Sequence, residues 1–245
     1  MNTIIPEQAL YELYLTDVMG TTTPKSEVKR VRSLILSSAE IQREIKNRFG
    51  EQINIEDIVE KGAKRSEKRQ KDHLEFKEYL KLWDIAAQIA YRNGYLVMAL
   101  EDNVEETLER IHDAGGRIRI YSSGAVETSE FGMKSNGLDR LIEAYHSSSQ
   151  PEIGSKFQPE AYREIARQAG IDIKDMVYVT DDVQEAKSAV AAGVGKVFLI
   201  DKNATEIGEK DGYTVINSYK QVAKETISKN HKQSGAGKAK GKSAS

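Results

Sequence analysis

The chain has no cysteine among its 245 residues, which excludes a disulfide framework, a thiolate metal site and a cysteine nucleophile. It lacks any apolar run approaching the roughly 18–20 residues of a membrane span. The N-terminal MNTIIPEQAL lacks the basic start of a signal peptide, so a soluble, cytoplasmic protein is expected. It also lacks an excess of either charge: 36 Lys and Arg face 38 Asp and Glu, a net −2. That balance speaks against a nucleic-acid binder judged on whole-chain charge. Apolar residues make up 39%, below the usual ~45–50% but enough for a core under a large solvated surface. The length suits one large or two small domains.

What is present is a series of short β-prone runs bounded by turn residues. Tyr11 to Thr16, YELYLT, is the first, ahead of Gly20 and Pro24. Arg117 to Tyr121, RIRIY, lies between Gly115-Gly116 and Ser122-Ser123-Gly124. Met176 to Thr180, MVYVT, runs into Asp181-Asp182, and Lys196 to Ile200, KVFLI, follows Gly193 and Gly195. Gly212 to Asn217 adds a fifth. Their polar positions suggest that not every strand is fully buried. Helical patterns alternate with them. Val104, Leu108 and Ile111 repeat at helical spacing up to Gly115-Gly116; Pro159 opens a helix carrying Tyr162, Ile165, Ala166 and Ala169; Gln184 to Gly193 is a third. This order predicts an α/β fold with a parallel sheet, whose ligands gather at the carboxyl ends of the strands.

About 100 residues separate the first two strands, and that interval reads as helix. A helical cap over residues 23–103 is expected, inserted into a core of 10–22 and 104–222. Glu60 to Lys81 is dense in charge of both signs; interleaved acids make it a solvated helix face rather than a nucleic-acid contact. Trp83, Tyr91 and Tyr95 could line a crevice between cap and core, but aromatics at helical spacing more often pack. The remainder, 223–245, reads as a disordered Lys/Gly/Ser-rich tail. Residues 229–245 hold five lysines and no acid, so removing them from the net −2 leaves the body at −7.

Reactive residue types follow three of the strands. Asp17 follows the first, Ser122 and Ser123 the second, Asp181 and Asp182 the third, and Lys156 precedes the Pro159 helix. Taken singly, each has an ordinary explanation as a turn former or a solvated lysine. Together they suit phosphoryl transfer. A carboxylate can attack phosphorus and form an aspartyl-phosphate, provided that a divalent cation, a lysine and hydroxyls neutralise the charge.

Thr16 to Pro24 (TDVMGTTTP), Ile120 to Glu127 (IYSSGAVE), Gly154 to Ala166 (GSKFQPEAYREIA) and Val179 to Ala186 (VTDDVQEA) carry a family likeness. Ala90 to Val104 adds a less specific one. Across residues 10–200 the chain resembles the haloacid dehalogenase (HAD) superfamily of aspartate-nucleophile phosphatases. Within it, the acireductone synthase (enolase-phosphatase) family of methionine salvage is the most similar. The resemblance implies a HAD-like Rossmannoid core with an inserted cap. It implies Asp17 as nucleophile and magnesium ligand, Ser122 and Ser123 as the phosphate-binding pair, and Lys156 bridging nucleophile and phosphate. It further implies Asp181 and the Met19 backbone carbonyl as ligands of Mg2+, with Asp182 behind them. The implied substrate is a small phosphorylated metabolite, 2,3-diketo-5-methylthiopentyl 1-phosphate. A monomer is expected, without a nucleic-acid or membrane partner.

One position departs from the pattern. Two residues after the nucleophile the family carries a carboxylate that protonates the leaving oxygen and later activates water; here stands Met19. Glu27 or Asp182 could substitute. The departure leaves two alternatives beside acireductone synthase. One is a HAD hydrolase acting on another phosphate ester or on a carbon–halogen or carbon–phosphorus bond. The other is a phosphate-ligand-binding relative without turnover.

Overall fold

The described residues, 7–67 and 74–229 of the computed structural model, start with strand β1 (Glu7–Ala9) and strand β2 (Leu13–Thr16). Four helices follow without an intervening strand: α1 (Ser26–Ser37), α2 (Ala39–Phe49), α3 (Ile55–Glu67) and α4 (Leu74–Arg92). The chain then alternates as α5 (Val104–Asp113), β3 (Arg117–Ser122), α6 (Val126–Ser135), β4 (Ile142–Ser147), α7 (Pro159–Ala169), β5 (Met176–Thr180), α8 (Val183–Ala192) and β6 (Lys196–Ile200). It closes with β7 (Gly208–Lys210), β8 (Tyr213–Ile216), α9 (Lys220–Thr226) and β9 (Ile227–Lys229).

Seven strands form one sheet in the order β4-β3-β2-β5-β6-β8-β7, parallel except for β7. The α/β architecture read from the sequence is thus the observed one. Strand β2 lies between β3 and β5, with Thr16 opposite both Ile120 and Val179. That register sets the site: the segments that follow β2, β3 and β5 leave the sheet at its carboxyl end.

Successive side chains of a strand point to opposite faces, and the core divides accordingly. Tyr14, Ile118, Ile120, Val177 and Val179 share one cluster with α1, α2, α4 and α5. Leu13, Leu15, Tyr121, Met176 and Tyr178 share the other with α7 and α8. β2 and β5 are buried throughout, while Arg117 at the start of β3 and Lys196 at the start of β6 stay half-buried, so not every strand is fully buried, as the sequence suggested. Buried polar atoms of the strands find partners. Thr16 accepts from the Tyr219 hydroxyl at 3.0 Å, and buried Arg119 on β3 pairs with Glu143 at 2.9 Å.

The inserted helices continue the first cluster rather than standing apart: Val31, Ile35, Ile41, Ile45, Leu82 and Trp83 pack in it with the sheet residues. Trp83 and Tyr91 are buried packing residues, whereas Tyr95 is exposed and bonds Glu40. In the charge-dense stretch Lys61 pairs with Asp57, Lys64 with Glu60 and Arg65 with Glu75, as expected of a solvated helix face. Residues 68–73 lie outside the described residues, as do 230–245 of the expected tail. One correction concerns residues 223–229, which belong to the fold. Strand β9 pairs antiparallel with β1, and Thr226 accepts from the Leu10 amide and the Tyr14 hydroxyl. The tail reading followed composition, which is blind to a pairing made with the other end of the chain. Among the described residues no helix is long and apolar enough to cross a membrane.

Candidate active site

Asp17 is the first residue beyond β2, and its amide donates to Val179 O of β5 at 3.0 Å. The chain then turns sharply, the amides of Thr22 and Thr23 both donating to Val18 O at 3.0 and 2.8 Å. The turn brings three threonines inward. Thr21, Thr22 and Thr23 are all buried. Thr22 Oγ1 donates to Asp17 O, while Thr21 Oγ1 and Thr23 Oγ1 have no hydrogen-bond partner among the described residues. Unpartnered buried hydroxyls are costly and uncommon.

Gly20 makes the turn possible. Its φ of +87° lies in the left-handed region, and a Cβ there would collide with the Asp181 carboxylate. Gly20→Ala is therefore expected to cost about 1–2 kcal/mol of backbone strain and a further ~1–3 kcal/mol of overpacking. Gly94 has φ +72° with nothing within 4 Å of an added Cβ, so Gly94→Ala measures the strain alone. Equal losses in urea unfolding would show that Asp181 yields to the methyl group.

Asp17 and Lys156, 139 residues apart, are brought into a buried ion pair, Lys156 Nζ donating to Asp17 Oδ1. The same ammonium reaches Glu185 Oε2 at 3.0 Å. Glu185 also accepts from the hydroxyls of Tyr178 at 2.8 Å and Thr180 at 2.7 Å. The result is one buried cation between two buried carboxylates. Lys156 is positioned by tyrosines: the Tyr162 hydroxyl holds its carbonyl at 2.7 Å, the Tyr121 hydroxyl holds Gly154 O at 2.7 Å, and Nζ lies 5.6 Å from the Tyr121 ring centroid. Burial alone would lower the Lys156 pKa, but Asp17 and Glu185 outweigh it and hold the ammonium above its ordinary value.

Asp17 responds in the opposite sense. Burial pushes its pKa up, Lys156 pulls it down, and Glu185 and Asp181 raise it again, leaving it at about 7. Burial, more than the neighbouring carboxylates, sets that rise. Asp181, two residues beyond Val179, already holds a cation: its Oδ2 lies 2.5 Å from Lys25 Nζ on the loop before α1. Among the described residues no three acidic or histidine side chains form a ready metal cage. A magnesium ion needs less than that, since it commonly takes one or two carboxylates and keeps several waters. Asp17 and Asp181, two carboxylates close enough to act on each other electrostatically, therefore fit such an ion.

The remaining sequence candidates separate. Ser122 is buried, and its Oγ accepts from the Gly124 amide at 3.1 Å; Ser123 is exposed. Met19 is half-buried and packs against the first core cluster. Neither proposed substitute for a carboxylate at 19 is available for that role. Glu27 is fully buried, accepting from Arg30 at 2.6 Å and from the Tyr91 hydroxyl at 2.9 Å. Asp182 Oδ1 caps α8, accepting from the amides of Gln184 at 2.8 Å and Glu185 at 3.4 Å. Sequence reasoning missed Glu185. Its signal was present: an acid four residues after Asp181 in VTDDVQEA, one helical turn beyond a strand end.

A family model described as haloacid dehalogenase-like hydrolase matches residues 25–199. The chain belongs to this family. A probable bifunctional methylthioribulose-1-phosphate dehydratase/enolase-phosphatase of Vitis vinifera is 32% identical over 133 residues, 54% of this chain and 25% of that protein. An enolase-phosphatase E1 of Leptospira borgpetersenii is 27% identical over 226 residues, 85% of this chain and 97% of that one. The chain thus spans a quarter of the grapevine protein and nearly all of the bacterial one. Among solved structures, a HAD phosphatase from Thermococcus onnurineus superposes with a TM-score of 0.62 at 16% identity, covering 87% of this chain and 97% of that chain. This likeness shows the fold alone. Kinship places the chain among hydrolases whose curated relatives are phosphatases.

Proposed function

We propose that the chain is a magnesium-dependent phosphatase similar to acireductone synthase. Its substrate would be 2,3-diketo-5-methylthiopentyl 1-phosphate, enolised and dephosphorylated for methionine salvage. The observation that carries this reading is the buried Asp17–Lys156–Glu185 ion triad at the carboxyl ends of β2 and β5. The enolase-phosphatase relatives support the substrate class.

In this reading the diketone is first enolised, C1 losing a proton to solvent and the C2 oxygen gaining one. An Asp17 carboxylate oxygen then attacks phosphorus of the enol phosphate and the bond to the ester oxygen breaks, leaving an aspartyl-phosphate and an enediolate. Water then attacks phosphorus and restores Asp17 with release of phosphate. Lys156 holds the attacking carboxylate in place and offers positive charge to the transferring group. Glu185, with Tyr178 and Thr180, keeps Lys156 charged and oriented. Ser122 and Ser123 would receive the phosphate, and α1 to α4 would serve as the cap. Asp17, Asp181 and the Met19 carbonyl would hold Mg2+, which when bound supplies positive charge beside the phosphoryl oxygens. Met19 offers no proton, so the leaving oxygen takes one from solvent; an enediol, more acidic than an ordinary alcohol, tolerates this best.

Phosphate release with magnesium from the diketo phosphate, lost in Asp17→Asn, is the expected result. Met19 specifically favours a second reading, in which the chain binds a phosphate ligand without turning it over. Turnover of the diketo phosphate only after Met19→Glu would select it. Inactivity toward both the diketo phosphate and an aryl phosphate, with halide release from a haloacid, would select a dehalogenase-type hydrolase.

A further inference from the structure

The loop Ser122-Ser123-Gly124-Ala125 leads from β3 into α6, and it is held as far as Gly124 by β4 and the residue after it. Ser148 N donates to Ser122 O at 2.9 Å, and Ser147 Oγ on β4 donates to Gly124 O at 2.7 Å. Its last residue needs another anchor. Ala125 stands at the N-cap of α6, where a side-chain oxygen would ordinarily accept from the first amides, and a methyl group cannot do so.

The inserted helices supply an oxygen of another kind, one that accepts from the amide of the N-cap residue itself. Asp84, in the middle of α4, accepts through Oδ1 from the Ala125 amide at 3.2 Å and from the Thr128 hydroxyl at 2.8 Å. Gln88, one turn along α4, donates to the same Thr128 hydroxyl at 3.2 Å. The approach is close: a Cβ on Gly124 would stand 2.9 Å from Asp84 Oδ1 and 3.7 Å from Ser122 Oγ. A carboxylate here also faces the positive end of the α6 dipole. Burial nonetheless pushes the Asp84 pKa up to about 6, against the pull of Thr128 and Ala125. Such a group costs stability at neutral pH unless its hydrogen bonds are kept.

We propose that Asp84 is a positioning residue that fastens the Ser122–Ser123 loop to α4, so that the loop's grip on an oxyanion depends on the seating of the helical layer. The proposal rests on the reading of that loop as the phosphate-binding one. Neither hydroxyl depends on Asp84 for a hydrogen bond; the carboxylate acts through the backbone between them and α6.

Hydrogen exchange at residues 124–128 and calorimetric binding of inorganic phosphate test it, in wild type, Asp84→Ala and Asp84→Asn. Asparagine keeps an oxygen acceptor and drops the charge. Asp84→Ala is expected to speed exchange at the start of α6 roughly tenfold, the loss of one charge-assisted hydrogen bond. It is also expected to weaken phosphate several-fold, while Asp84→Asn stays within about threefold of wild type in exchange and binds phosphate at least as well. Equal behaviour of the two variants at residues 124–128, or no change in either, overturns the proposal whatever phosphate does. If exchange separates the variants but wild type binds no phosphate, the fastening stands and the phosphate-binding reading of the loop falls.

Discussion

Met19→Glu is expected to raise kcat on a phosphate ester by about 10²–10⁴-fold, equivalent to roughly 3–5 kcal/mol of barrier. The effect is large because both neighbours that could replace a carboxylate at 19 are committed elsewhere, Glu27 to Arg30 and Tyr91, Asp182 to the start of α8. A carboxyl at this position can both give a proton to the leaving oxygen and take one from water. Steady-state assay of Met19→Glu beside Met19→Gln isolates the titratable group, since glutamine has similar size and polarity without a proton to give. Equal rates in the two variants would remove proton transfer from the explanation.

Lys156→Met is expected to destabilise the metal-free protein by about 3–5 kcal/mol, because it leaves Asp17 and Glu185 buried without their shared cation. The loss should depend on pH. In the wild type Asp17 is raised from 3.8 to about 7 in the fold, so its contribution to stability is full below about pH 4 and is lost as pH rises through 7. Removing Lys156 takes away the main influence that lowers the Asp17 pKa, moving the folded value higher. The gap between variant and wild type in urea unfolding should therefore be smaller at pH 5 than at pH 8. Adding Glu185→Gln removes one of the stranded charges and should recover part of the loss. A gap independent of pH would mean that Lys156 is held for packing rather than charge.

Both predictions concern residues at strand ends, and these were the most legible part of the molecule. Turn residues and β-prone runs are local signals, so β2, β3, β5, β6 and β8 could be read within a residue or two of their observed bounds. Strand β4, IEAYHS, was not read: it is a half-exposed edge strand, and its composition lacks the β-branched run that marks a buried one. The buried Thr128, Ser129 and Gly132 of α6 were equally silent. Residues 223–229 were misassigned: 223–226 end α9, and 227–229 form a strand whose pairing with β1 at the far end of the chain has no local signature beyond its own three residues.

By itself the sequence determined the α/β class, the helical insertion after the first sheet strand and the order Asp17, Ser122, Lys156, Asp181 along the chain. Each depends on neighbours a few residues away. Only the tertiary structure decided which charges meet. It placed Glu185 on the far side of Lys156, put Lys25 on Asp181, and tied Asp84 to a loop 41 residues further on. Such pairings arise because carboxylates withdrawn from water, such as Glu185 and Asp84, must find partners wherever the packed sheet and helices bring them, and that geometry is set by the whole fold rather than by any one segment.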